Sequence, residues 1–354
     1  MNLAAVDKIA KAVLYEGYML YPYRPSSVKN QQRWNFGVLC PHSYSEAQSG
    51  TEAWTMQTEC LVEGSSLTGI EVRVRFLQLV ARSVGQLITP VNELPPGEPP
   101  EFHPMEKLAI DGRLYQPWQE AIEREVAVPV CNVGTLTQNP WIQSFNFAAE
   151  KQFEFLRESG GQTLGILVRQ RNAMSGEVKV SASQRENGTF KLSVMIRNTT
   201  PFSVAEDTSR DDVLSSALIS THTVVGALDG RFVSLLAPPE QLNELAASCT
   251  NIGTYPVLVG EEGDRDTLLS SPIILYDYPQ IAPESAGDLF DGTEIDEILS
   301  LRIMTLTDDE KREMSQSDER ARQMLERTET MPVEHWMKLH GVLRGLRPLK
   351  EEVP

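Results

Sequence analysis

Apolar and polar residues alternate along several stretches of this chain, and a period of two predicts half-buried strands. The clearest case is residues 70–82, where Val72, Val74 and Phe76 alternate with Glu71, Arg73 and Arg75. Residues 53–63 form its predicted antiparallel neighbour, with 64–69 as the joining loop. Residues 162–170, 176–186 and 189–198 read as three consecutive strands. Asn187-Gly188 turns the last two into a hairpin, because both residues tolerate a positive φ. In 189–198, Phe190, Leu192, Val194 and Ile196 alternate with Lys191, Ser193, Met195 and Arg197, the pattern of a β-sandwich strand. Residues 222–236 predict a second hairpin, turning at Asp229-Gly230. Strands at 255–260 and 271–277 close the β-rich part. Residues 12–23 predict a strand running into a loop, and 33–40 a short strand. Residues 115–127 and 146–157 fit either helix or strand, while 211–219 and 239–248 read as short helices.

Six prolines within 90–104 forbid a regular ladder and predict an extended loop, either a domain boundary or a long insertion. After residue 278 the period changes. Ile295, Ile298, Leu299 and Ile303 fall at helical spacing behind Thr293. Thr307 and Glu310 form a capping box, Ser317 caps a helix to about Arg327, and Pro332 opens another that Gly345 ends. The expected fold class is α+β and β-rich: one or two β-sandwich-like units followed by a helical C-terminal region. The expected units are 1–140, carrying the Pro-rich loop 90–104, then 141–277, then an acidic helical region 278–354.

At 354 residues the chain is long enough to bury a core without a disulfide or structural metal. Its net charge of −17 works against binding nucleic acid or anionic membrane surfaces. No apolar run approaches the roughly 18 residues of a membrane span, so no membrane insertion is expected. The N-terminus lacks a secretory h-region, and Cys40, Cys60, Cys131 and Cys249 form no close pair. Four reduced thiols in a cytoplasmic protein are the expectation.

Candidate chemistry is sparse. There is no G-x-S-x-G elbow, Walker A loop, dinucleotide-binding GxGxxG or HEXXH. His335 and His340 are five apart and do not share a helix face. Cys40-Pro41-His42 sets a thiol near an imidazole without aiming one at the other. No cofactor, metal or catalytic residue is implied. Charge, by contrast, is polarised: residues 277–329 hold 15 acids and 6 bases. An EF-hand centred on Gly292 fails, because its ligand positions fall on Gly287, Leu289 and Ile298. The acidic stretch fits docking on a basic partner surface. Asp277, Glu284, Asp288, Asp291, Glu294 and Asp296 supply carboxylates there, with Tyr278 as an aromatic anchor. A second cluster at the N-terminus, Tyr18, Tyr21, Tyr23, Arg24 and Trp34, fits a protein interface better than nucleic acid.

Three segments, VLYEGYMLYPYR (13–24), 270–311 and DERARQMLERTE (318–329), resemble an uncharacterised bacterial family associated with gene clusters for uptake [NiFe] hydrogenases. That resemblance implies a non-enzymatic accessory or assembly role, docking on a hydrogenase subunit or precursor. The rival expectation is an enzyme whose site is assembled from scattered groups, with His222, Cys249 and the carboxylates around Asp277–Asp291 as its parts.

Overall fold

The structure, a computed structural model, describes residues 3–15, 35–93, 99–280, 303–317 and 319–332. Helices α1 (Leu3–Tyr15) and α2 (His42–Ala47) precede β1 (Thr55–Val91), a strand of 37 residues. Then come β2 (Phe102–Met105), β3 (Leu108–Ile110), β4 (Arg113–Tyr115), β5 (Trp118–Asn132), α3 (Val133–Gln138), β6 (Trp141–Phe147) and β7 (Glu150–Arg157). Next are β8 (Thr163–Arg171), β9 (Met174–Gln184), β10 (Thr189–Asn198), α4 (Arg210–Leu214) and β11 (Ile219–Val233). A 3-10 turn (Glu240–Leu242) leads into α5 (Asn243–Ala247), β12 (Tyr255–Leu258) and β13 (Thr267–Ser271), followed by α6 (Asp308–Ser317) and α7 (Glu319–Thr330).

β1 organises the molecule. One of its edges pairs antiparallel with β10 over 55–63, then β5 over 69–82, then β2 over 84–87. The other edge pairs with β11 over 61–77 and then with β8 over 81–91. The expected hairpin at 53–82 is therefore corrected: both halves belong to one strand, and 64–69 is a bulge within it. The hairpin expected at Asp229-Gly230 is corrected in the same way, because β11 runs straight through. The two misread turns are opposite sides of one irregularity. Gly64 pairs with Gly230 and Gly69 with Leu228, so 65–68 and Asp229 (φ 55°) are the extra residues. Thr68 fills the gap: its hydroxyl accepts from Ser65 N–H (3.0 Å) and donates to Asp229 O (2.9 Å). A Cβ on Gly64 would stand 2.2 Å from Thr68 Oγ1, and one on Gly230 2.5 Å from Thr68 Cγ2, so Thr68 demands both glycines. Four extra residues on β1 preserve its two-residue period, which keeps Val62 and Ile70 on the same buried face.

Eleven strands share this antiparallel sheet, along the path β12-β13-β11-β1-β10-β9-β6, with β2, β5 and β8 joined to β1 and β7 to β8. The expected division at 140/141 falls between α3 and β6, and strands from both sides of it hydrogen-bond to β1. One core cluster collects Val72, Val74 and Phe76 of β1, Val126 and Val128 of β5, Val178 and Val180 of β9, and Val194 and Ile196 of β10. Val133 and Leu136 of α3 enter the same cluster. The free edges of β5 and β6 approach where Gln143 donates to Ala127 O (3.1 Å). The β9–β10 hairpin is as expected, with φ of 56° at Asn187 and 71° at Gly188.

Helices cover the opposite face of β1. Val6, Ala10, Val13 and Leu14 recur at i, i+4, i+7 and i+8, the spacing of one helix face, and all four are buried. The first three pack on Val224, Val257 and Leu269; Leu14 joins Leu77, Leu79 and Ile219 with Met314 of α6 and Met324 and Leu325 of α7. Burying each Val or Leu here contributes about 2 kcal/mol. The strand expected at 12–23 is thus corrected to helix over 12–15, with 16–23 outside the described residues. The expectation at 33–40 reduces to one bridge, Leu39 to Leu218. Residues 115–127 and 146–157, ambiguous in sequence, are strand apart from the links 116–117 and 148–149. β13 ends at Ser271, so 272–277 is not the predicted strand. Pro104 lies inside β2, while 94–98 fall outside the described residues. Thr307 and Glu310 make the expected capping box (2.8 and 3.3 Å). The expected helix at 293–303, apart from its last residue, and the one after Pro332 lie outside the described residues.

Candidate functional site

Residues 272–278 form a strap fastened along its length. Ser271 Oγ donates to Ile273 O (2.7 Å), and Leu275 is buried against the α1 cluster. Asp277 is held twice: its Oδ1 accepts from Leu258 N–H (2.8 Å) and its Oδ2 from the Ser234 hydroxyl (2.5 Å). Ser234 Oγ in turn accepts from the amides of Leu236 (3.2 Å) and Ala237 (2.9 Å). Tyr278 has a φ of 58°, donates its N–H to Leu258 O (2.7 Å) and packs its ring on the main core. Two side chains of this strap face outward: Ile274 is 73% exposed and Tyr276 69%. Leu236, next to the Ser234–Asp277 link, is 59% exposed. Ile274 and Tyr276 are, with Leu67, the most exposed large apolar side chains among the described residues.

Of the residues expected to dock, Asp277 and Tyr278 are thus spent on internal contacts, half-buried rather than presented. Glu284, Asp288, Asp291, Glu294 and Asp296 lie outside the described residues, as do Tyr18, Tyr21, Tyr23, Arg24 and Trp34. Sequence reading missed Ile274 and Tyr276. Their exposure left no local mark: the run of Pro272, Ile273, Ile274, Leu275 and Tyr276 is apolar without a break, a pattern that equally suits a fully buried segment.

Of the groups of the rival site, His222, Cys249 and Asp277 pack in separate places, and Glu284, Asp288 and Asp291 lie outside the described residues. His222 is fully buried opposite Arg75, and burial pushes its pKa down to about 4. Its Nδ1 lies 2.9 Å from Ser220 O; a carbonyl only accepts, so Nδ1 carries the proton and Nε2 holds a lone pair without a partner among the described residues. Above it Arg75 binds Asp7 (2.8 Å) and Glu125 (2.7 Å), and Glu125 also binds Arg73 (3.2 Å). Cys249 sits elsewhere, packed on the cluster of Leu61 and Val233. Its charged neighbours are Lys191, Glu59 and Arg185, and burial pushes its thiol up to about 11. Burial and Glu52 push Cys40 up to about 12; burial also raises Cys60 and Cys131. A thiol must ionise to attack, so none of these is an activated nucleophile. Cys40 turns toward Glu52 (3.9 Å), while the His42 ring lies against Trp54, tilted by 41° (ring centroids 4.0 Å apart). His335 and His340 lie outside the described residues. Among the described residues, no group of three or more His, Cys, Asp or Glu is placed to hold a metal ion, and no helix is long and apolar enough to cross a membrane.

The chain matches no model of a known protein family and none of the curated proteins compared with it.

Proposed function

We propose that this chain is a cytoplasmic, non-enzymatic accessory or assembly factor that docks on a protein partner through the strap 272–278 and the acidic residues that follow it. The resemblance of 13–24, 270–311 and 318–329 supports a [NiFe] hydrogenase subunit or its precursor as that partner. The observation that carries the reading is the outward display of Ile274 and Tyr276 on a strap pinned by Leu275, Asp277 and Tyr278. Pinning lowers the ordering cost of binding, and exposed aromatic and aliphatic groups supply the apolar centre of an interface. Six carboxylates within 284–297 then steer a basic surface toward it.

The test is a tagged pull-down at low salt from a host expressing the hydrogenase, followed by affinity measurement on the purified pair. Ile274→Ser with Tyr276→Ser should weaken binding by roughly 30-fold or more, as for hot-spot residues, with thermal stability unchanged. Alanine at Asp288, Asp291 and Glu294 should chiefly slow association, most at low salt where screening is least. Full affinity in both variants, or recovery of the chain alone, removes this assignment.

A further inference from the structure

An unpaired sheet edge invites a further strand, and native proteins close or blunt their edges. Most edges of this sheet carry such a device. On β12 the strap takes both the amide of Leu258, through Asp277 (2.8 Å), and its carbonyl, through Tyr278 (2.7 Å). Pro256, on the same edge, has no N–H to offer. β2 is four residues long and contains Pro104. β5 and β6 turn their edges toward each other where Gln143 meets Ala127. β7 differs. Among the described residues it pairs with β8 and with no other strand. Its sequence, EKQFEFLR, holds no proline, and its one register shift falls at the last residue, so 150–156 run without a bulge. Lys151, Gln152, Phe153 and Glu154, the middle of the strand, are all exposed.

The strand's own side chains specify what fits this edge. Residues 151, 153 and 155 share one face, with Lys151 Nζ 5.4 Å from the centre of the Phe153 ring. Residues 150, 152, 154 and 156 share the other, where Gln152 Nε2 donates to Glu150 Oε1 (2.6 Å). Two copies related by a two-fold axis normal to the sheet pair antiparallel with like faces together, so odd residues oppose odd and even oppose even. Two registers give the longest overlap. Pairing 151–157 with itself sets Glu154 against Glu154 and Lys151 against Arg157, like charges in each case. Pairing 150–156 with itself sets Phe153 against Phe153, Gln152 against Glu154, Lys151 against Phe155 and Glu150 against Leu156. No like charges oppose each other in that register. The exposed Phe153 rings meet at the axis, and Gln152 keeps a second N–H for the carboxylate opposite. Arg169 (2.6 Å) and Arg171 of β8 already hold Glu154 and Glu150, which lowers the negative charge an incoming strand meets.

We propose that β7 is a dimerisation edge: two copies of this chain pair antiparallel along 150–156, about a two-fold axis at Phe153, and the sheet of one continues into the sheet of the other. The contact is independent of the strap, which is fastened to β12, and of the partner proposed for it.

Sedimentation velocity of the full chain over a range of concentrations, with amide exchange followed at 150–156, tests this. A concentration-dependent dimer is expected, with exchange of these amides slowed as it forms. Gln152→Glu sets glutamate against Glu154 twice per dimer, and Phe153→Lys sets lysine against lysine at the axis. Each should raise the dissociation constant about 10-fold or more. Both positions are exposed on an edge, so circular dichroism should not change. Ile142→Lys, at an exposed position on β6, and the double variant Ile274→Ser with Tyr276→Ser should dimerise as the parent does. A monomer at every concentration overturns the proposal, and protected β7 amides in that monomer would mean that another segment of the same chain covers the edge. A dimer that both β7 variants leave intact, or that forms without slowing exchange at 150–156, also overturns it.

Discussion

At the scale of single residues, His222 carries the sharpest consequence. Its folded pKa of about 4 lies below the ordinary 6.5 because the site rejects the charged ring. The unfolded chain takes up a proton below pH 6.5 that the native one refuses. The stability this residue contributes is thus complete above pH 6.5 and drains away as pH falls toward 4. The loss is on the order of 3 kcal/mol across that window. Arg75, Glu125 and Asp7 surround the site, and urea unfolding at pH 7, 6, 5 and 4.5 should isolate the histidine from them. His222→Gln is expected to flatten the slope, and an unchanged slope would assign the acid sensitivity to those carboxylates. Thr68 gives a second residue-level prediction. Thr68→Val removes both hydrogen bonds at the bulge, and chemical denaturation should report a loss of roughly 1–3 kcal/mol. Neither role was legible in sequence. Buried histidines and bulge-filling threonines are defined by what lies across the sheet, and pairing partners more than 140 residues away leave no local mark.

Elements were legible where their chemistry was local. Asn187-Gly188 specified its hairpin because two adjacent residues carry the whole requirement for positive φ. The capping box at Thr307 was equally visible. By contrast, Gly64, Gly69, Asp229 and Gly230 also look like turn residues, but only Asp229 takes a positive φ and Gly64 and Gly230 make room for Thr68, all within a bulge between two strands that continue. Only the register of β1 against β11 separates the two uses. α1 was missed for a different reason: Val6, Ala10, Val13 and Leu14 do carry the helical period, but the aromatic run that follows drew the strand reading over their end. The strap was misread because its apolar run has strand composition, while Asp277 and Tyr278 fasten it to β12 by contacts no pattern encodes. One element-level test follows from the cap. Thr307→Ala should cost α6 about 1 kcal/mol and speed its amide exchange about five-fold, leaving β9 and β10 unaffected. Equal acceleration throughout the sheet would mean that α6 is coupled to the whole fold rather than resting on Leu77 and Leu79.

For the molecule as a whole, the alternating pattern was enough to place it among β-rich α+β proteins, but not to reveal that one strand touches nearly everything. β1 pairs with β2, β5, β8, β10 and β11. Removing any of these strands opens an edge of β1, so the sheet from Thr55 to Ser271 should melt as a unit. Differential scanning calorimetry is expected to show one transition for it, with calorimetric and van't Hoff enthalpies in agreement. Two resolved sheet transitions would locate an independent unit.

The same connectivity has a consequence during synthesis. The first part of β1, Thr55 to Glu63, leaves the ribosome more than 100 residues ahead of Thr189, where its partner β10 begins. At ordinary elongation rates that is a wait of roughly 6–25 s. Throughout it, Met56, Cys60, Leu61 and Val62 sit on a strand with neither edge satisfied, the condition that recruits holdase chaperones or seeds aggregates. Slower translation, through rare codons between 64 and 189 or a cooler host, lengthens the exposure, and yield of this protein should track chaperone supply more closely than it tracks the stability of the finished fold.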